Sequence, residues 1–285
     1  MPETNSIVER LGFDAKARLL IVNCDDLGVS HAANVATYRA MVEGVATSAT
    51  LMVPCPFARE AARMFDGLPV GIHLTLTSEY PRYRWGSLTG GASLHDKDSY
   101  FPRTTAAAMQ QMNETEVRAE CRAQIDSALS WGVDVTHLDS HMHTVQARRD
   151  LFGVYLDPAA EYGLPVRMPA ASEFPNWGLS DFDAPAEAAA RGVLYNDHMI
   201  YPWPRPTRDV FFETLPGLPA GVSEVFAHPV EDGEELSGYD LSNVGIRTHD
   251  AECLIDPTVR DLIEREGFRP LSYRPLRELQ RQPRK

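Results

Sequence analysis

Two adjacent carboxylates, Asp25 and Asp26, close the apolar run LLIVNCDDLG, and histidines recur in two later strand-like runs. His73 lies in VGIHLTL, while THLDSHMH packs His137, Asp139, His141 and His143 into seven residues. Imidazoles and carboxylates together form a donor set for a divalent ion, and three protein ligands leave one coordination position for water. An ion bound this way makes water a nucleophile near neutral pH. Adjacent acids can then divide the work, one ligating and one accepting a proton. His228, at the end of a later strand, is suited to protonate a leaving group.

In an extended strand over 133–143, alternation puts His137, Asp139, His141 and His143 on one face and Leu138, Ser140 and Met142 on the other. This spacing does not choose between His141 and His143 as a ligand. His137 and Asp139 are assigned to orienting the ligands, a part that metal sites commonly need. His31, His95, His198 and His249 have no such neighbours and are read as ordinary hydrogen-bonded residues. Asp25 and Asp26 could instead cap the next helix, but Ser30 is better placed for that.

The elements that must position these groups alternate along the chain. Leu19 to Gly28 is read as strand and turn, and Ser30 opens a helix that Gly44 ends. Strands are expected over 47–53 and 70–76, with a helix over 57–65 between them. Tyr, Trp, Pro and Gly recur through residues 78–112 and break the alternation, which predicts one long loop. Asn113 and Glu116 resemble a capping box for a helix ending at Gly132. A strand over 133–143, a helix over 151–162 and a short strand over 165–168 follow, then a Pro- and aromatic-rich lid to Pro206. The remainder predicts a helix over 207–215, a strand over 224–227, helices over 250–255 and 257–266, and a strand over 268–273. Parallel strands need crossovers of this kind, so the expected fold is α/β: an irregular (β/α) barrel of mainly parallel strands, one domain with long active-site loops. Residues 1–17 are read as an N-terminal extension and 18–285 as the barrel domain.

The chain has 285 residues, 44% hydrophobic and 24% charged, enough to bury a large core. Its formal charge of -13 argues against binding a phosphate backbone. The four cysteines are far apart without a C-x-x-C pair, which predicts neither a disulfide framework nor a zinc knuckle. No apolar run has membrane-spanning length, and the first residues lack the apolar stretch of a signal peptide, so a cytoplasmic protein is expected. A homodimer is compatible with all of this.

These motifs resemble the ChbG/HpnK family, also called YdjC-like carbohydrate deacetylases. The family pattern runs N-A-D-D-F-G, G-x-H-L and H-L-D-S-H-x-H, and here it reads NCDDLG, GIHL and HLDSHMH. The late pieces AHP and LSYRPL also look familial, so the resemblance spans about residues 18–276. It implies a distorted α/β barrel, a metal held by Asp26, His73 and His141, and Asp25 as base, with His228 matching the family's late histidine. The implied reaction removes an N-acetyl group from an amino sugar or oligosaccharide. Cys24, Leu27 and the aromatic loops depart from the pattern and alter the pocket rather than the ligands. Zinc or magnesium suits two histidines and an aspartate, and manganese, nickel or cobalt also fits. Two other readings share these residues: a metal-dependent barrel isomerase or lyase acting on a sugar derivative, and a sugar-binding protein without catalysis. Solvent deuterium exchange into substrate would mark the first, and tight binding without turnover the second.

Overall fold

A computed structural model describes residues 6–283. Among them, seven strands pair in parallel: β1 (Arg18–Leu27), β2 (Ser48–Leu51), β3 (Val70–Leu74), β4 (Val135–Ser140), β5 (His198–Ile200), β6 (Gly221–Ala227) and β7 (Phe268–Pro270). Their order is β4-β3-β2-β1-β6-β5, and β7 lies beside the first residues of β1. Two isolated parallel bridges, Leu138 to Val166 and Val166 to Tyr195, draw the β4 and β5 edges toward each other. The curled sheet is thus an irregular barrel in one domain, as expected, with a thin wall between β4 and β5.

Period-two alternation sorts β1 between two environments. Leu20, Val22, Cys24 and Leu27 join the large core beneath the crossover helices, whereas Leu19 and Ile21 join a smaller cluster with Val222, Leu271, Tyr273, Leu276 and Val8. Each fully buried Leu or Ile contributes ~1.5–3 kcal/mol. The smaller cluster fills the floor of the barrel, and above it the interior becomes polar.

Local signals set most boundaries. Ser30 Oγ accepts from Ala33 N at 3.1 Å to start the helix His31–Val42. Asn113 Oδ1 accepts from Thr115 and Glu116 N at the head of Glu114–Ser130. The reciprocal half of that box is not made, because the Glu116 carboxylate accepts from Ser93 N and Oγ instead. All four cysteines are buried and free. No helix among the described residues is long and apolar enough to cross a membrane.

Several expectations fail for identifiable reasons. The loop over 78–112 contains a helix, Thr105–Gln111, built on an alanine run and capped by Thr104. Strand β4 ends at Ser140 rather than 143, since Met142 and His143 take left-handed φ of 51° and 56° and break the extension. The strand over 165–168 shrinks to the Val166 bridges. The segment read as a lid holds helix Ala184–Arg191 and β5. Helix Val244–Ile255 begins earlier than expected, and the last strand stops at Pro270 because Ser272 caps helix Tyr273–Gln280.

On β3, Gly71 faces His137, and a Cβ there would lie 2.4 Å from the imidazole and 2.7 Å from the His137 carbonyl oxygen. Backbone and ring both block it. Gly71→Ala is therefore expected to cost ~1–3 kcal/mol through overpacking. It would appear as a lower urea midpoint at unchanged slope; a midpoint equal to wild type would refute this packing account.

Candidate metal centre and its cavity

Adjacent strand residues point to opposite faces, so Asp25 and Asp26 could not both enter the barrel from a regular strand. A bulge resolves this. Cys24 pairs with Ala49 and Leu27 with Leu51, leaving one extra residue on β1, and Asp26 adopts φ 61°. Asp25 keeps the inward phase of Leu19, Ile21 and Asn23, while the bulge turns Asp26 inward beside it. A left-handed non-glycine residue is strained, and such strain commonly marks functional sites.

Asp26, His73 and His141 converge, all buried. Asp26 Oδ1 lies 3.5 Å from His73 Nε2 and 3.3 Å from His141 Nδ1, and these two nitrogens are 3.3 Å apart. Tetrahedral ligands at ~2.0–2.2 Å from one ion stand ~3.3–3.6 Å from each other, which matches this triangle. Asp26 Oδ1 is also a buried oxygen without a hydrogen-bond partner, an arrangement that is costly unless a cation completes it. The donor set therefore fits a divalent ion.

Asp139, together with residues that sequence reasoning missed, holds this triangle. His73 Nδ1 is paired with Asp139 Oδ1, so Nε2 is the free nitrogen. Thr50 Oγ1 donates to Asp139 Oδ2 at 3.0 Å. Glu79 Oε2 meets His141 Nε2 at 3.1 Å, which reserves Nδ1 for the triangle. Arg247 Nη1 donates to Asp26 Oδ2 at 3.0 Å and its Nε donates to Asp240 at 2.8 Å. Glu79 and Arg247 carried no sequence signal beyond their charge.

Asp25 takes no part in the triangle. Arg167 grips it in a fork, Nη1 to Oδ2 and Nη2 to Oδ1, each at 2.7 Å, and Asn23 Nδ2 donates to Oδ1 at 2.8 Å. Burial pushes the Asp25 carboxyl up, but the Arg167 guanidinium outweighs it and holds the group well below its ordinary value. Arg167 was also missed. Its signal was a cation inside the short apolar segment PVRMP, since a buried guanidinium requires carboxylates.

His137, His143 and His228 stand apart from the triangle. His137 lies lower in the barrel, stacked on Tyr273, and burial keeps it neutral by lowering it far below the usual histidine range. Asp139 shares its inward face. His143 is carried away by the left-handed turn to Gln146 Oε1, 2.7 Å from its Nδ1, yet still borders the cavity. His228 borders it too, with Nδ1 unpartnered and its ring edge-on to Trp203 at 5.0 Å; burial lowers it below the ordinary 6.5. The cavity measures about 410 Å³, with Tyr201, Trp203 and Phe226 as an apolar wall.

A family model described as YdjC-like protein matches residues 19–265. The chain belongs to the YdjC-like family. It is 34% identical over 282 residues to a carbohydrate deacetylase of Thermus thermophilus, covering 95% of this chain and 98% of that one. A carbohydrate deacetylase of Geobacillus stearothermophilus is 31% identical over 90% of this chain and 97% of its own. A crystal structure from Enterococcus faecalis, described as a candidate cellobiose-phosphate cleavage protein, superposes with TM-score 0.78 at 26% identity, covering 91% of this chain and 99% of that one.

Within this YdjC-like barrel the loop after β3 is strapped down. Glu120, fully buried, accepts from Leu88 N and Thr89 N and Oγ1, and Arg84 ties Ser78, Asp96 and the Phe101 carbonyl together. Tyr83 and Trp85 spend their polar atoms on the Val29 and Thr77 carbonyls, and Trp177 packs on Phe174 and His143. These three aromatics anchor loops, whereas Trp203 faces the cavity.

Burial opposes charge on His73 and His141, but Asp139 and Asp26 raise the first to about 9, and Glu79 and Asp26 the second to about 10. The metal-free site is therefore protonated at neutral pH, and an ion requires neutral imidazole. Zinc binding at pH 7.5 should release about one to two protons per ion, and affinity should rise with pH until about 10. Glu79→Gln should weaken binding ~10–100-fold by loosening His141. Isothermal titration in two buffers of different ionisation enthalpy measures both; proton-neutral binding would contradict the assignment of ligands.

Proposed function

We propose that the chain is a metal-dependent hydrolase that removes an N-acetyl group from an amino sugar or short saccharide. The observation that carries this reading is the pairing of two unlike carboxylates in one cavity. Asp26 presents an unpartnered oxygen beside two imidazoles, whereas Asp25 is held ionised by Arg167 a single residue away. The names of the Thermus and Geobacillus relatives support the substrate class.

Asp26, His73 and His141 would hold the ion, which when bound supplies Lewis-acid polarisation of a carbonyl and acidifies water. Asp25 accepts the proton of the attacking water. Its oxygens are fixed by Arg167 and Asn23, so no reorientation is needed when the proton arrives. His228, neutral at rest because burial lowers it, would take up the proton that Asp25 draws from water and pass it to the departing nitrogen. Tyr201, Trp203 and Phe226 exclude water from the acyl side and give a sugar ring or methyl group an apolar surface. The products are acetate and a free amino sugar.

Purified protein supplied in turn with zinc, magnesium, manganese, nickel and cobalt should release acetate from a panel of N-acetylated saccharides. Asp25→Asn should reduce release ~10²–10⁴-fold while its metal content stays at the wild-type level. Metal loss in that variant would reverse the division of labour between the acids. No acetate from any saccharide would end the deacetylase reading.

A further inference from the structure

Below Asp25 the barrel interior holds buried polar groups that the proposed reaction does not touch. Tyr273, fully buried at the head of helix Tyr273–Gln280, lies flat on His137 with centroids 3.8 Å apart and planes 9° apart. Its hydroxyl donates to Glu224 Oε2, and Glu224 Oε1 accepts from Arg167 Nε at 2.9 Å. The same guanidinium reaches Asp25 with both Nη atoms and Asp139 Oδ2 with Nη1 at 2.9 Å. A continuous hydrogen-bonded line thus joins the C-terminal helix to Asp25 and to the partner of His73.

Stability does not account for this line. Each buried ion costs several kcal/mol after relaxation, and an apolar filling of equal volume is commonly at least as stable. One layer lower the barrel takes such a filling, with the paired Leu19 and Val222. What the line does supply is orientation. A guanidinium held only through its Nη atoms, here by Asp25 and Asp139, can still tilt with those carboxylates, whereas an anchor at Nε fixes its plane. Glu224 is that anchor, and the Tyr273 hydroxyl occupies the other Glu224 oxygen.

We propose that Tyr273 and Glu224 are positioning residues that fix the plane of the Arg167 guanidinium and so hold Asp25 where it accepts a proton. The proposal rests on the reading of Asp25 as base. It also gives a task to the LSYRPL motif, which the metal centre leaves without one.

Tyr273→Phe removes one oxygen and keeps the ring on His137; Glu224→Gln keeps the volume. In the zinc-loaded protein, ¹⁵N NMR of Arg167 should show slow rotation about the Nε–Cζ bond in wild type and faster rotation in both variants. Acetate release should lose ~10–100-fold in kcat, with metal content unchanged and KM within about twofold. The double variant should be no slower than Glu224→Gln alone, because both act through one line. Unchanged Arg167 rotation, or wild-type kcat in folded, metal-loaded Tyr273→Phe, would overturn the proposal, even alongside a lower Tm. If wild type releases no acetate, the deacetylase reading falls, and the NMR arm still decides whether Tyr273 and Glu224 fix Arg167.

Discussion

Two carboxylates from neighbouring residues can share one cavity only where their strand abandons its alternation, and the rest of the site is arranged around that break at Asp26. The bulge inserts a single residue between Cys24 and Leu27, so the wall resumes its outward phase at Leu27 and the large core is undisturbed. Inside, the break delivers two acids with unequal surroundings. Asp25 meets a guanidinium fork, and Asp26 meets two imidazoles and Arg247. Their chemical difference comes from the neighbours, since the residue types are identical.

The barrel interior is layered accordingly. An apolar floor gives way to a charged middle, in which Arg167 contacts Asp25, Asp139 and Glu224, and above that lies the triangle of Asp26, His73 and His141. Burying so many ions is affordable because every carboxylate in the middle layer touches the same cation, which keeps each within ~3 Å of an opposite charge in a low-dielectric setting. Removing Arg167 would strip all three carboxylates of their shared cation.

Much of this was legible in the sequence wherever a pattern is local. The apolar run ending in Asp25 and Asp26, the Ser30 and Asn113 caps and the inward phase of His137 and Asp139 all follow from spacing over a few residues. The choice between His141 and His143 was not legible from spacing, because it depends on left-handed φ at Met142 and His143, a conformation uncommon outside glycine. Arg167, Glu79 and Arg247 escaped because each reaches the site from a different part of the chain. The helix Thr105–Gln111 was masked by the Gly, Tyr and Pro around it, and β5, three residues long, is too short to show a period.

The position of β1 in the sheet has a consequence for synthesis. One edge of β1 pairs with β2 soon after it is made, but the other waits for β6, almost two hundred residues later, and its first residues wait for β7. At ~5–20 residues per second, roughly 10–40 s pass on the ribosome with the edge of the apolar run Leu19–Val22 open to other chains. Asp25 and Asp26 stand at the tip of that edge, and the cations that balance them, Arg167 and Arg247, also emerge late. Until then the paired acids act as a charged gatekeeper, keeping a sticky strand in solution before they serve any chemistry.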